Sequence, residues 1–147
     1  MIDILIINGP NLNLLGTREP DIYGKEILND VENSLQNLAD KEKISIKFMQ
    51  SNAEHEIIDC IQAANKDSTK FIIINPGPLT HTSIALRDTF LSTQIPFIEI
   101  HISNIHKREE FRKKSFLSDV SVGVIVGLGV NGYRYAFMQA VKHIRSN

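Results

Sequence analysis

Apolar and polar positions alternate with two different periods along this chain, and the changes of period mark out its elements. Residues 2–7 form an apolar run broken only by Asp3, the pattern of a strand buried on both faces. Ile27, Leu28, Val31, Leu35 and Leu38 then recur at helical spacing to about residue 40. Ile44, Ile46 and Phe48 alternate as a second strand. Ser51 or Asn52 is placed to cap a helix with Ile57, Ile58, Ile61 and Ala64 on one face. Residues 71–74 are a third, wholly apolar strand that stops at Asn75-Pro76-Gly77-Pro78, and Thr80 is expected to cap the next helix, which carries Ile84, Leu86, Phe90 and Leu91. Pro96 opens a fourth strand over 97–102, followed by a short basic helix over 105–113, a fifth strand over 120–126 and a closing helix over 133–144.

Strands that alternate with helices, and are mostly apolar on both faces, predict an α/β fold with a parallel sheet covered on each side. Five strands in this sequence fit the flavodoxin-like arrangement, with sheet order 2-1-3-4-5. The 147 residues read as one domain, with no repeat, linker or biased tract dividing them. Sixteen basic against seventeen acidic residues leave no net field for nucleic acid. No apolar stretch approaches the ~20 residues that cross a bilayer. Met1-Ile2-Asp3 lacks the basic start of a signal peptide, and a single cysteine, Cys60, in an apolar helical pattern fits a reducing cytoplasm.

In open α/β sheets ligands bind beyond the carboxyl ends of the strands, at the switch point between strands 1 and 3. The chemically versatile residues collect there. The long loop over residues 8–24 carries Asn11, Arg18 and Tyr23. Strand 3 delivers Asn75 and then His81, strand 4 ends in Glu99-Ile100-His101-Ile102-Ser103-Asn104, and the basic helix behind it offers Arg108 and Arg112. Loops at the other edge, such as 40–43 and 65–68, are merely charged. Backbone N–H groups at Thr80-His81-Thr82-Ser83 suit an anion or polyol, and two arginines with an amide suit a carboxylate. His101 at a strand end is a natural general acid or base. Tyr23 needs its pKa brought from about 10 to about 7 to act as a base, roughly 4 kcal/mol of differential stabilisation. Arg18, earlier on the same loop, is the candidate cation. A tyrosinate facing an imidazole acid suits proton abstraction beside a carbonyl, followed by loss of a leaving group.

Asn8-Gly9-Pro10-Asn11-Leu12-Asn13 with Gly16-x-Arg18-x-Pro20-x-x-Tyr23-Gly24 resembles the amino-terminal signature of type II 3-dehydroquinate dehydratases. So do Asn75-Pro76-Gly77 with Thr80-His81-Thr82-Ser83-Ile84-Ala85-Leu86-Arg87-Asp88, and Glu99-Ile100-His101-Ile102-Ser103-Asn104-Ile105. Arg108-Glu109-x-Phe111-Arg112 and Gly127-Leu128-Gly129-x-x-Gly132-Tyr133 extend the likeness almost to the carboxyl terminus. The resemblance implies dehydration of 3-dehydroquinate to 3-dehydroshikimate in the shikimate pathway, with no metal or organic cofactor. By the same resemblance Tyr23 removes a C2 proton with Arg18 holding it as the anion, and Asn11 helps to stabilise the enolate through a bound water. His101 protonates the departing C1 hydroxyl, with Glu99 orienting its ring. Asn75 and the backbone at Ile102 and Ser103 take the substrate carboxylate, and His81, Asp88 and Arg112 contact the ring hydroxyls. Arg108 serves a neighbouring subunit or the lid. The resemblance further implies a cytoplasmic dodecamer of four trimers, with Asp88 able to act across a subunit boundary. At Pro78 this chain departs from the small residue usual in the family, which stiffens the turn and removes one N–H.

Each residue also has a plain structural reading: Tyr23 and Arg18 as wetted loop residues, His81 as a helix cap, Asn11 and Asn75 as turn formers, Asp88 as a helix-surface charge, Glu99 as a solvated edge group, and Arg108 and Arg112 as one exposed face of a basic helix. His81, His101 and His106 lack the compact spacing of zinc ligands. Gly127-Leu128-Gly129-Val130-Asn131-Gly132 matches a dinucleotide fingerprint, but it follows the last strand, where no later strand supplies a ribose-binding acid, so a tight helix entry is the better account. A flavodoxin-like flavin binder or phosphoryl receiver is the rival class. A receiver needs an aspartate at the end of strand 3, where Asn75 stands.

Overall fold

The apolar runs become strands because branched residues pack well on a pleated sheet covered on both faces. A computed structural model, describing residues 1–17 and 19–147 with only the backbone of Pro20 and Tyr23, shows them as β1 (Ile4–Asn8), β2 (Ile46–Gln50), β3 (Phe71–Asn75), β4 (Phe97–His101) and β5 (Gly123–Val126). Every neighbouring pair is parallel, and the order is β2-β1-β3-β4-β5, the flavodoxin-like order read from the element sequence. The helices are α1 (Pro20–Tyr23), α2 (Leu28–Glu42), α3 (Glu54–Lys66), α4 (Ile84–Thr93) and α5 (Asn131–Arg145).

Because successive strand side chains point to opposite faces, the parity of a residue decides which helices it meets. Ile4, Ile6, Phe71, Ile73, Ile98 and Ile100 pack with Val31 and Leu35 of α2 and with Ala136, Phe137 and Ala140 of α5. Leu5, Ile7, Ile72, Ile74 and Phe97 pack with Ile57 and Ile61 of α3 and with Leu86 and Phe90 of α4. Each such large side chain, fully buried, contributes about 1.5–3 kcal/mol. Parity also sorts the polar strand ends. Asn8 and Asn75 continue the rows facing α2 and α5, whereas Glu99 and His101 continue the row of Phe97, facing α3 and α4. Two separate polar networks form on the two faces as a result.

Element boundaries depart from expectation where side chains compete for the backbone. Thr80 does not cap α4; it lies in a 3₁₀ turn over Gly77–His81, and Ser83 caps the helix by accepting from Leu86 N–H. The N–H groups of Thr82 and Ser83 donate to the Leu79 carbonyl, so they are not open to an anion. Neither Ser51 nor Asn52 is the cap residue of α3; that position is Ala53, whose N–H donates to Ser51 Oγ, while Asn52 Oδ1 accepts from Asn11 N–H. The basic helix is two 3₁₀ turns, Ile105–Lys107 and Glu110–Lys113, and Ser118–Val120 forms a third that delays β5 to Gly123. The long first loop contains a 3₁₀ turn, Leu12–Leu14, as well as α1.

Candidate active site

The tips of β1 and β3 are drawn unusually close, and glycine is the reason. Gly9 N–H donates to the Asn75 carbonyl at 2.8 Å, and a Cβ on Gly9 would lie 2.5 Å from the Pro76 carbonyl oxygen. Gly77, at φ +57°, turns the chain back over Pro10. Pro78 follows at the start of the 3₁₀ turn, where a missing N–H breaks no bond within the turn.

Beyond these tips lies a cavity of about 200 Å³. Asn11, Asn75, His81, His101, Ile102, Ser103, Arg108 and Arg112 all line it, so eight of the residues singled out in the sequence converge on one space. Pro10, Leu12, Leu14, Leu15, Pro78 and Ile105 supply apolar wall. Asp88 is not part of this wall; it is exposed on α4, which begins at Ile84 and carries it beyond the turn that holds His81. Arg18 and the side chain of Tyr23 lie outside the described residues; the backbone of Tyr23 ends α1.

Glu99 is fully buried rather than a solvated edge group. Its Oε2 accepts from His101 Nε2 at 2.5 Å and from Thr80 Oγ1 at 2.6 Å. Its Oε1 accepts from Ser118 Oγ at 2.7 Å and from Ser115 Oγ at 3.0 Å. Burial pushes the carboxyl group's pKa up, but the bonds from His101, Thr80 and Ser118 outweigh it and hold Glu99 below the usual carboxylate range. An ionised Glu99 can only accept, so His101 carries its proton on Nε2 and leaves Nδ1 for the cavity. His81 is held similarly: its Nδ1 donates to the Lys114 carbonyl at 2.6 Å, leaving Nε2 free. Burial pushes its pKa below the ordinary histidine value. The two imidazoles lie nearly parallel, with centroids 6.4 Å apart.

The arginines are anchored as well. Arg112 Nε donates to Glu109 at 2.5 Å, and an Arg108 guanidinium nitrogen donates to Ser103 Oγ at 3.2 Å. Arg108 also lies 3.9 Å from Glu19, on the segment leading into α1. Ser115 and Ser118 escaped the sequence reading, and Thr80 entered it only as a helix cap and a backbone donor, because isolated hydroxyls carry no pattern. Their one signal was an acidic residue, Glu99, in an otherwise apolar strand, which demands nearby donors. The wall therefore offers a buried imidazole–carboxylate pair, a second imidazole, an amide and two guanidinium groups, with apolar residues excluding water from one side. This set can hold an oxygen-rich anion and move a proton.

The family model for class II dehydroquinases matches residues 2–141. A 3-dehydroquinate dehydratase of Idiomarina loihiensis is 56% identical over 138 residues, covering 94% of this chain and 91% of the relative. That of Pectobacterium carotovorum is 56% identical over 144 residues, covering 98% and 95%. The crystal structure of a type II dehydroquinase from Butyrivibrio crossotus superposes with a TM-score of 0.92 at 46% identity, covering 95% of this chain and 97% of that one. Sequence, fold and the cavity at the strand tips agree: this chain belongs to the class II dehydroquinase family.

Proposed function

We propose that this protein is a 3-dehydroquinate dehydratase that eliminates water from 3-dehydroquinate to give 3-dehydroshikimate, as a step of the shikimate pathway. The Tyr23 phenolate, kept ionised by the Arg18 guanidinium, takes the C2 proton. The C2 electron pair moves toward the C3 carbonyl to form an enolate, which Asn11 stabilises. Collapse of the enolate breaks the C1–O bond, and the departing hydroxyl leaves as water with a proton from Nδ1 of His101, which enters the step as the imidazolium, protonated on both nitrogens beside the Glu99 carboxylate, and ends it neutral. Asn75 and the backbone of Ile102 and Ser103 take the carboxylate, while His81 and Arg112 meet the ring hydroxyls. The observation that carries the reading is His101 in the cavity wall, bonded through Nε2 to the buried Glu99 carboxylate with Nδ1 open to a ligand. A histidine held this way accepts a proton without losing its orientation, since imidazolium and carboxylate attract. We infer that the working particle is a dodecamer of four trimers in which Asp88 serves a neighbouring subunit, a mass that light scattering measures directly.

The test is appearance of enone absorbance when purified protein meets 3-dehydroquinate. Tyr23→Phe and His101→Ala should each abolish turnover while substrate binding persists. Near-normal turnover in both variants would defeat the mechanism.

A further inference from the structure

Behind the cavity, on the α5 side of the sheet, a chain of hydrogen bonds links Asn75 to two side chains, Asn8 and Tyr133, that the proposed chemistry leaves idle. Gly77 N–H donates to Asn75 Oδ1 at 3.2 Å, Asn75 Nδ2 donates to the Tyr133 hydroxyl oxygen at 3.0 Å, and that hydroxyl donates to Asn8 Oδ1. Asn8, Asn75 and Tyr133 are 1%, 3% and 0% exposed, so solvent cannot replace a lost partner. Asn8 and Asn75 are register partners at the tips of β1 and β3, and Tyr133 reaches them from the first turn of α5.

The direction of this chain is forced. A carboxamide has two orientations of nearly equal shape. The Gly77 N–H can only donate, so Asn75 must turn its oxygen toward Gly77 and its NH₂ toward Tyr133. The phenol oxygen then accepts, and its one proton goes to Asn8. Burial pushes the phenol's pKa further up, so that proton stays in place across the working range. Asn75 Nδ2 has a second N–H that Tyr133 does not use, and Asn75 lines the cavity.

We propose that Tyr133 is a positioning residue, which locks the Asn75 carboxamide so that its remaining N–H is presented to the substrate carboxylate. The inference rests on the substrate-binding role given to Asn75 above. Without the phenol oxygen, Asn75 Nδ2 and Asn8 Oδ1 are both unpartnered and lie on adjacent strand tips. Asn75 then turns to satisfy Asn8 and withdraws its N–H from the ligand. Proton transfer by His101, on the opposite face of the sheet, is left alone.

The experiment is a double-mutant cycle on Tyr133→Phe and Asn75→Ala in the full chain, read as KM and kcat for 3-dehydroquinate. Tyr133→Phe should raise KM about tenfold with kcat within about threefold, as loss of one buried hydrogen bond in binding does. In the Asn75→Ala background the same change should leave KM where it is. Val141→Ala, a buried truncation elsewhere on α5, should lower the melting temperature with KM unchanged. A Tyr133→Phe protein with wild-type KM, or an effect that simply adds to that of Asn75→Ala, would overturn the inference. Should Tyr133→Phe fail to fold, Asn8→Ala keeps the phenol oxygen that holds Asn75 and removes the group toward which Asn75 would turn, so KM should stay within about twofold of wild type, and a tenfold rise there overturns the inference. Absence of turnover in the wild type counts instead against the proposed activity.

Discussion

Glu99→Gln is the sharpest perturbation of the site, because it changes charge and little else. The carboxylate meets four donors, from His101, Thr80, Ser115 and Ser118, at 2.5 to 3.0 Å. A hydrogen bond to a charged group contributes about 1.5–3 kcal/mol, against about 0.5–1.5 for a neutral pair, so the four together weaken by about 5 kcal/mol once the hydroxyls turn to meet the amide. For a chain of this length that lowers Tm by roughly 10–20 °C. The effect on turnover has a different origin. His101 can follow the amide by shifting its proton to Nδ1, but its imidazolium form loses the anion beside it. That attraction, at about 1.5–3 kcal/mol, converts to a fall in kcat of about 10- to 150-fold with KM little altered. Thermal melts and steady-state enone formation on the same preparation measure both. A variant that melts early but keeps kcat within about twofold of wild type would falsify the assignment of Glu99 to catalysis, leaving it a purely structural anion.

Further outcomes follow from the strand tips and the buried titrating groups. Gly9→Ala places a methyl 2.5 Å from the Pro76 carbonyl, so the tips of β1 and β3 must part. It should cost about 1–3 kcal/mol in denaturant unfolding and raise KM as Asn75 moves. Stability should fall toward acid in two stages. The folded pKa of His81 is depressed, so below about pH 6.5 the unfolded chain binds a proton that the folded one refuses, until the folded value is reached. The folded pKa of Glu99 is depressed from 4.5, so its contribution is complete above that value and is lost as pH falls through the lower, folded one. Urea midpoints against pH should show both stages in the wild type and only the second in His81→Gln; an unchanged first stage in that variant would remove His81 as its source.

Much of the architecture was legible in the linear chain because burial on both faces leaves a compositional mark. The runs over residues 4–7 and 71–74 admit almost no polar side chain, and alternation with helices gives the parallel α/β class, whereas the order 2-1-3-4-5 comes from the commoner arrangement of five such strands. The site residues were legible in part for the same reason: polar groups at the ends of apolar strands, such as Asn75 and His101, stand out. The ends of helices were less readable. Thr80 and Ser83 are both good caps in isolation, and Glu99's demand for a donor decided between them by taking the Thr80 hydroxyl.

What required three dimensions is the pairing of groups far apart along the chain. Asn8 and Tyr133 are separated by 125 residues, and Glu99 meets Ser118 across 19. No local pattern records such a bond, since a lone hydroxyl or amide looks alike whether it faces water or a buried partner. Strand parity sends Glu99 toward one layer of helices and Asn75 toward the other, but which side chains wait there depends on how α4 and α5 dock. Periodicity is written into each segment because every residue samples the same two environments, core and solvent. Specific polar contacts arise only when separate segments share one space, where a buried charge or amide accepts whichever donor the packing brings within reach.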